Sequence, residues 1–308
     1  MFNIIGKRFW YFLVSGIVIL GGIIALIVFG LKPGIEFASG SLLTVGFKQP
    51  ATTEQVEQAV ADSGYDTAIV QRAGQDDFLI RLPELSSAAK ATLEANLRAS
   101  LGDLEVKGFD LVSPMIATET TRNAGIAVII SAIGMLIYIS WAFHRMPNPF
   151  RWGACAIASL VHDVLVVVGL FAILGGIFGW QVDLMFVTGV LTVIGYSVND
   201  TIVIFDRIRE NVNKNPGMDF EAVVNYSLVE TMSRTLITGL GTLFVLIALL
   251  LFVGAPVQNL VFVLLVGIIT GTYSSIGTAA SLLVVWKKGE WGRFIGRRPR
   301  LAGEVRGR

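Results

Sequence analysis

The chain has 308 residues, of which 54% are hydrophobic and only 15% charged, with a net charge of +1. Its mean hydropathy of +0.69 lies well outside the range of soluble globular proteins. A lone cysteine, Cys155, excludes an intrachain disulfide, and two separated histidines, His144 and His162, form no ligand cluster, so no metal site is expected.

Six runs reach the length of about 20 apolar residues needed to cross a bilayer. They are Phe12–Phe29, Ala124–Phe143, Ala154–Phe178, Leu184–Phe205, Leu236–Val253 and Val257–Trp286. The first is read as an uncleaved anchor, because its apolar core is too long for a signal peptide and no small-residue cleavage pattern follows. Lys7 and Arg8, Arg145 and Arg151, Arg207, Arg209 and Lys214, and the Arg-rich tail all fall on one side of these spans. The short connections Gly179–Asp183 and Gly254–Pro256 carry no Lys or Arg. Both termini are therefore expected in the cytoplasm and the long loop after the first span outside. The expected division is 1–30 (cytoplasmic N-terminus and first span), 31–122 (external domain), 123–286 (five spans, with a cytoplasmic loop at 206–235) and 287–308 (basic cytoplasmic tail).

The external domain is acidic, with 13 Asp and Glu against 8 Lys and Arg. Alternation predicts strands at Ser41–Phe47, Thr67–Arg72, Phe78–Leu82 and Leu104–Val112, with helices at Thr52–Ser63 and Ser86–Leu101. A turn is expected at Gly74–Asp76, and helix caps at Thr53 and Ser86. The order βαββαβ is that of a split-βαβ, ferredoxin-like α+β fold. No nucleophile–base pair or phosphate loop is visible in it, which favours a docking module over an enzyme.

The fourth span contains Tyr196-Ser197-Val198-Asn199-Asp200-Thr201. At helical spacing, Thr188, Thr192, Tyr196, Asn199 and Asp200 line one stripe. A carboxylate there costs roughly 2.5–3.5 kcal/mol on insertion scales, so it points to an ion pathway, against the plainer reading of a structural hydrogen bond. Arg234 lies at the start of the fifth span on a face with Thr238, Gly241 and Thr242. It is either a positive-inside anchor or a partner that approaches Asp200 at similar depth. His162 and Asp163 in the third span are either a locally bonded pair or part of a water-mediated proton path. Gly267 and Gly271 form a GxxxG that allows close helix packing. The segment Arg207–Ser233 is amphipathic, with Phe220, Val223, Val224 and Leu228 on one face, and reads as a helix lying on the cytoplasmic membrane surface. The basic tail next to a membrane span favours anionic lipid over nucleic acid.

The run Gly195-Tyr196-Ser197-Val198-Asn199-Asp200-Thr201-Ile202-Val203-Ile204-Phe205-Asp206-Arg207-Ile208-Arg209-Glu210-Asn211 resembles the hallmark segment of the bacterial SecF family, accessory subunits of the Sec preprotein-export machinery. Ser233-Arg234-Thr235 matches that family's second recurring segment, and Val161-His162-Asp163 also fits. Gly34-Ile35-Glu36-Phe37-Ala38-Ser39-Gly40 resembles its Gly-Ile-Asp-Phe-x-Gly-Gly box, with Glu36 in place of Asp and Ser39 where glycine is expected.

This resemblance implies half of a resistance–nodulation–division-type transporter, completed by a SecD-like subunit and associated with the SecYEG channel, YajC and the translocating preprotein in the bacterial inner membrane. It implies that the proton gradient, with no cofactor, drives late translocation and release. The resemblance implies that Asp200 and Arg234 belong to the proton relay; the residue pattern offers Asn199, Tyr196, His162, Asp163 and Thr238 as relay support, and Gly34, Glu36 and Gly40 are expected as a hinge box of the external domain. A small-molecule or lipid exporter subunit and a non-conducting scaffold are the competing readings. An intramembrane aspartyl protease would use Asp163 and Asp200, but neither sits in a Gly-x-Gly-Asp context.

Overall fold

The computed structural model describes residues 2–73, 77–252 and 254–295. The turn expected at Gly74–Asp76, the end of the fifth span at Val253 and the arginine-rich tail beyond residue 295 lie outside the described residues.

Six helical segments among the described residues are long and apolar enough to cross a membrane. They are α1 (Arg8–Phe29), α5 (Pro114–Ala142), α6 (Pro149–Phe178), α7 (Leu184–Lys214), α8 (Phe220–Phe252), and a last span made of α9 (Ala255–Ser274), a π-helical turn at Ser275–Ala279 and α10 (Ala280–Lys288). Proline at the first turn starts α5 and α6, where its missing N–H costs nothing. Asp183 caps α7, its Oδ1 accepting from the Phe186 N–H at 2.7 Å.

Helix α7 is the centre of the bundle. Gly267 and Gly271 of α9 lie against Val193 and Ser197 of α7, so closely that a Cβ at Gly267 would overlap the Val193 side chain. The GxxxG spacing therefore sets the α7–α9 crossing. Trp152 of α6 stacks on Phe143 at 5.2 Å, and Phe205 of α7 meets both rings edge-on. The outward faces of α1, α5 and α8 are apolar and exposed, as at Ile17, Ile24, Ile129, Ile133, Phe244 and Val245. Such faces suit lipid or another membrane subunit.

The segment expected to lie flat on the membrane does something else. Helix α7 runs on to Lys214, the turn is confined to 215–219, and α8 begins at Phe220, so 206–235 is mostly a helical hairpin that prolongs the two spans. Two interactions favour this arrangement. Val224 and Leu228 are buried in the bundle core with Phe220 packed against it, and Glu230 and Ser227 of α8 bond Arg207 and Asn211 of α7. An apolar face that meets a protein core gains as much burial as one that meets lipid, and here it also finds charge partners. At the same end of the bundle, buried Arg8 joins Glu221 and Glu290, each at 2.7 Å, tying the start of α1 to α8 and to the residues after α10.

Between α1 and α5 lies the small domain: α2 (Ile35–Ala38), β1 (Gly40–Phe47), α3 (Thr53–Asp62), β2 (Ile69–Arg72), β3 (Asp77–Leu82), α4 (Ser87–Leu101) and β4 (Leu104–Val112). The antiparallel sheet has the order β2-β3-β1-β4, that of the split βαβ fold. In β1, alternate residues Leu43, Val45 and Phe47 point into the core, where they meet Phe78 and Ile80 of β3 and Val56, Val60, Leu93 and Leu97 of the helices. Ser86 caps α4 as expected, accepting from the Ala89 N–H at 3.2 Å. The cap of α3 is Thr52 and not Thr53. Thr52 has the extended backbone that frees its hydroxyl, and it completes a reciprocal capping box with Gln55.

The domain is fastened to the bundle at the start of α7. Pro33 pairs with Val182 as a short parallel bridge, with Gly34 N–H to Val182 O at 2.6 Å and Val182 N–H to Lys32 O at 2.8 Å. Arg81 of β3 donates to Pro33 O, and Gln71 of β2 to Gly179 O. Asn259 of α9 donates to Gln181 O at 3.0 Å and to Asp183 Oδ2 at 2.7 Å. Beside this joint, burial pushes the Glu36 carboxyl above its usual range. The charges of Asp183 and Asp110 add to that shift, and Arg81 opposes it. Burial likewise raises Asp183, against its hydrogen bonds from Phe186 and Asn259.

Ser39 adopts φ 62° and ψ 169°, a region that only glycine enters readily, and Gly40 follows with φ 123° and no room for a Cβ beside Leu82 O. Ser39→Gly should therefore raise the stability of the domain by about 1 kcal/mol, seen as a higher thermal midpoint, whereas Ser39→Ala should not.

A second expectation concerns pH. Glu36 and Asp183 are raised in the folded joint, so their protonated forms are favoured there. That stabilisation is complete below the ordinary carboxylate range of about pH 4 and is lost as pH rises through the raised values. Glu36→Gln keeps the neutral form, so the thermal midpoint of the variant should fall less than that of the native chain between about pH 4 and about pH 7. Parallel curves would show that Glu36 is not coupled to the joint.

Candidate functional site within the membrane bundle

Three polar layers lie inside the bundle around α7. The first is built on Asp163 of α6, which is 1% exposed. Its Oδ2 accepts from Ser197 Oγ of α7 at 2.5 Å and from Ser274 Oγ of α9 at 2.8 Å, and its Oδ1 faces His162 Nδ1 at 2.9 Å. A carboxylate in an apolar bundle is tolerable when hydrogen bonds replace its water, and three partners do that here. His162 bends back onto its own neighbour, its ring 6.0 Å from that of Tyr273, and its Nε2 is buried without a partner.

One turn further along α7, Thr201 Oγ1 meets Ser275 Oγ at 3.0 Å and also donates to Ser197 O. Ser275 begins the π-helical turn of the last span. An inserted residue of this kind shifts the face a helix presents, and both Ser274 and Ser275 find partners on neighbouring helices. Sequence reasoning did not single out Ser197, Ser274 or Ser275 as site residues. A hydroxyl in an apolar run reads as small-residue packing unless its partner on another helix is known.

The second layer is Asp200 itself. It is 6% exposed, and its Oδ2 is buried with no hydrogen-bond partner. Tyr196, one turn earlier, turns its buried hydroxyl towards Thr242 of α8. Arg234 of α8 is exposed and lies near enough for its charge to act on Asp200. No ion pair within 4.0 Å joins the two, so the direct Asp200–Arg234 contact considered from the sequence is not formed in this conformation.

The stripe along α7 is divided. Asp200 turns into the chain and Tyr196 is half-buried, while Thr188, Thr192 and Asn199 are exposed. On α8, Arg234, Thr238 and Gly241 are exposed beside them. Thr188 and Thr192 donate to Leu184 O and Thr188 O of their own helix, but within a membrane lipid cannot satisfy Asn199 or Arg234, so this part of the α7–α8 face suits a protein or aqueous neighbour.

The third layer is the charged floor. Arg207 donates from Nε and NH2 to Glu230 at 2.7 and 2.9 Å and from NH1 to Glu210 at 2.6 Å. Glu230 also accepts from Asn211 at 2.8 Å. Glu230 was missed in the sequence because its partner stands 23 positions away. Of the hinge-box residues, Gly34 and Glu36 lie at the domain joint and Gly40 starts β1, all far along the chain from Asp200 but linked to its helix through Val182 and Asp183. Among the described residues, no group of three or more His, Cys, Asp or Glu could hold a metal ion.

Residues 92–289 match the family described as protein export membrane protein SecD/SecF, C-terminal, and residues 24–51 match the SecD/SecF GG motif. The chain is 42% identical to the protein translocase subunit SecF of Thermobaculum terrenum, over 96% of this chain and 98% of that protein. It is 36% identical to the protein translocase subunit SecDF of Bacillus subtilis, over 91% of this chain but only 37% of that longer protein. Among solved structures it is similar to SecDF from Thermus thermophilus, described as a translocon-associated membrane protein. The TM-score is 0.84 at 30% identity, covering 93% of this chain and 38% of that one. A SecDF structure in a super-membrane-facing form matches with a TM-score of 0.67 at 29% identity, over 96% of this chain and 40% of that one. The chain belongs to the SecD/SecF family of protein export membrane proteins, as a multi-pass member with six apolar helices and one small α+β domain.

Proposed function

We propose that this protein uses the proton gradient to promote late translocation and release of preproteins on the outer side of the membrane. Proton transfer at Asp200, assisted by Arg234, moves α7, and α7 moves the external domain. The observation that carries this reading is the state of Asp200: a buried carboxylate oxygen with no partner, in a helix whose leading segment, at Val182, is hydrogen-bonded to the start of the external domain. A purely structural aspartate would be satisfied, as Asp163 is. Asp200 instead keeps an unfilled bonding site beside a guanidinium that has no ion-pair partner.

The energy available is adequate. One charge crossing 100 mV corresponds to about 2.3 kcal/mol, which shifts a two-state equilibrium nearly fiftyfold. Protonating Asp200 removes the charge that attracts Arg234, changing the packing of α7 against α8. The joint at Lys32–Gly34 and Val182 carries the displacement outward, with Gly34, Glu36 and Gly40 as the hinge.

A SecD-like half is the partner that fits the exposed α7–α8 strip, and the Bacillus and Thermus relatives are SecDF proteins much longer than this chain. SecYEG, YajC and the preprotein as further partners rest on the family resemblance, as does the inner membrane. The side with Lys7, Arg8, Arg207 and Lys214 is taken as cytoplasmic from the positive charges of its short loops. Anionic lipid headgroups suit its remaining basic residues.

The test is release of a preprotein from membrane vesicles containing this chain with its SecD-like partner, with and without a proton gradient. Asp200→Asn at matched abundance should lose the gradient-dependent part, a drop of about tenfold or more, while leaving gradient-independent transport unchanged. Full gradient dependence in the variant would reduce the polar stripe to helix packing and leave a scaffold as the better description.

A further inference from the structure

At the hairpin end of the bundle, a cavity of about 70 Å³ lies where the α5–α6 connection, α7, α8 and α10 converge. That is several times the ~10–15 Å³ needed to hold one water, so the space takes a small polar group. Its walls are apolar, with Met146, Trp152 and Leu283 buried and Phe220 half-buried. Two cations, Arg151 of α6 and Lys287 of α10, also line it, and among the described residues no Asp or Glu does.

The cations at this end of the bundle differ in what holds them. Arg8 and Lys288 are paired with Glu221, Glu290 and Asp219. Arg207, Arg209 and Lys214 are paired with Glu230, Asp206 and Glu210. Arg151 and Lys287 have no ion pair among the described residues. Each lies instead over an aromatic face: the Arg151 guanidinium is 5.9 Å from the centre of the Trp286 ring, and the Lys287 ammonium 5.9 Å from that of Phe220. Such a contact fixes a cation in place but does not cancel its charge. Asn148, also in the wall, opens α6 with a left-handed backbone and no side-chain cap, so the positive end of that helix adds to the same corner.

Depth in the membrane points to the source of the missing anion. Five of the six tryptophans, Trp10, Trp141, Trp152, Trp286 and Trp291, stand at this end of the spans, which marks it as headgroup level. Trp141 near the end of α5 and Phe150 in the first turn of α6 are exposed, and they offer apolar surface beside the cations. A soluble anion would use the charges alone, whereas a lipid uses both.

We propose that this cavity binds the phosphate group of an anionic phospholipid from the leaflet on the hairpin side, with Arg151 and Lys287 as its charge partners and the acyl chains along Trp141 and Phe150. The phosphate supplies the negative charge that no carboxylate of the cavity wall supplies, and it joins the α5–α6 connection to α10. The site rests on the reading that anionic headgroups suit the basic residues of this side, gives that reading a place, and is independent of proton use at Asp200.

The test titrates the complex with its SecD-like partner, in a neutral detergent, with phosphatidylglycerol and separately with phosphatidylcholine, and counts bound lipid by native mass spectrometry. Arg151→Gln with Lys287→Gln should lose one of the phosphatidylglycerol molecules that the native complex retains, its affinity falling about tenfold or more. Lys7→Gln with Arg145→Gln, which removes two charges of the same end outside the cavity, should keep that lipid. Arg151→Lys with Lys287→Arg should keep it too, which separates loss of charge from loss of fold. Unchanged retention of phosphatidylglycerol in the Gln variant overturns the site but leaves the wider headgroup reading in place. Equal retention of the two lipids by the native complex overturns both. Displacement of the retained lipid by millimolar inorganic phosphate would make the occupant a free anion and overturn its assignment as lipid.

Discussion

Asp163 accepts hydrogen bonds from Ser197 and Ser274, and through them one carboxylate on α6 holds α7 and α9 in register. In an apolar bundle none of these groups has water to fall back on, so removing one partner leaves a buried charge or hydroxyl unsatisfied. The same crossing is fixed sterically by Gly267 and Gly271, which bring α9 against α7 where Ser197 lies. The rest of the site is arranged around this fixed side of α7. Asp200, three residues beyond Ser197, faces the other neighbour, α8, where contacts are looser and polar side chains are exposed. One side of α7 is locked and the other is free to respond.

The asymmetry gives a mechanical sense to the long helices. At one end, α7 is capped by Asp183 and bonded through Val182 to the segment leading into the small domain. At the other end it is clamped to α8 by Arg207, Glu230 and Asn211. A change in charge midway along such a helix can be felt at both ends without a flexible linker. In the proposed cycle the joint at Val182 carries the displacement to the domain, and the hairpin clamp holds the other end of α7 against α8.

Much of this architecture was legible in the sequence because it follows from composition and period. Twenty-residue apolar runs set the spans, strict alternation in Leu43, Val45 and Phe47 set the sheet, and the glycine spacing marked the close crossing. Asp200 stood out because a carboxylate in such a run has few innocent explanations. What could not be read depends on tertiary neighbours. The amphipathic face of Phe220, Val223, Val224 and Leu228 suits lipid and protein equally, so the hairpin extension was indistinguishable from a surface helix. Ser197 and Ser274 gained their meaning only from Asp163 on another helix. The π-helical turn at Ser275–Ala279 has no signature in residue type, and the positive φ of Ser39 is hidden because serine does not announce it.

The central claim is that Asp200 changes protonation and that the external domain follows. Difference infrared spectroscopy of the complex with its SecD-like partner, recorded during a pH step, tests this most directly through the carboxylic acid C=O stretch. The account predicts a titrating band that disappears in Asp200→Asn, accompanied in the native chain by movement of a spin label on the domain relative to one on the bundle. No band assignable to Asp200, or domain movement that persists unchanged in the variant, would contradict it.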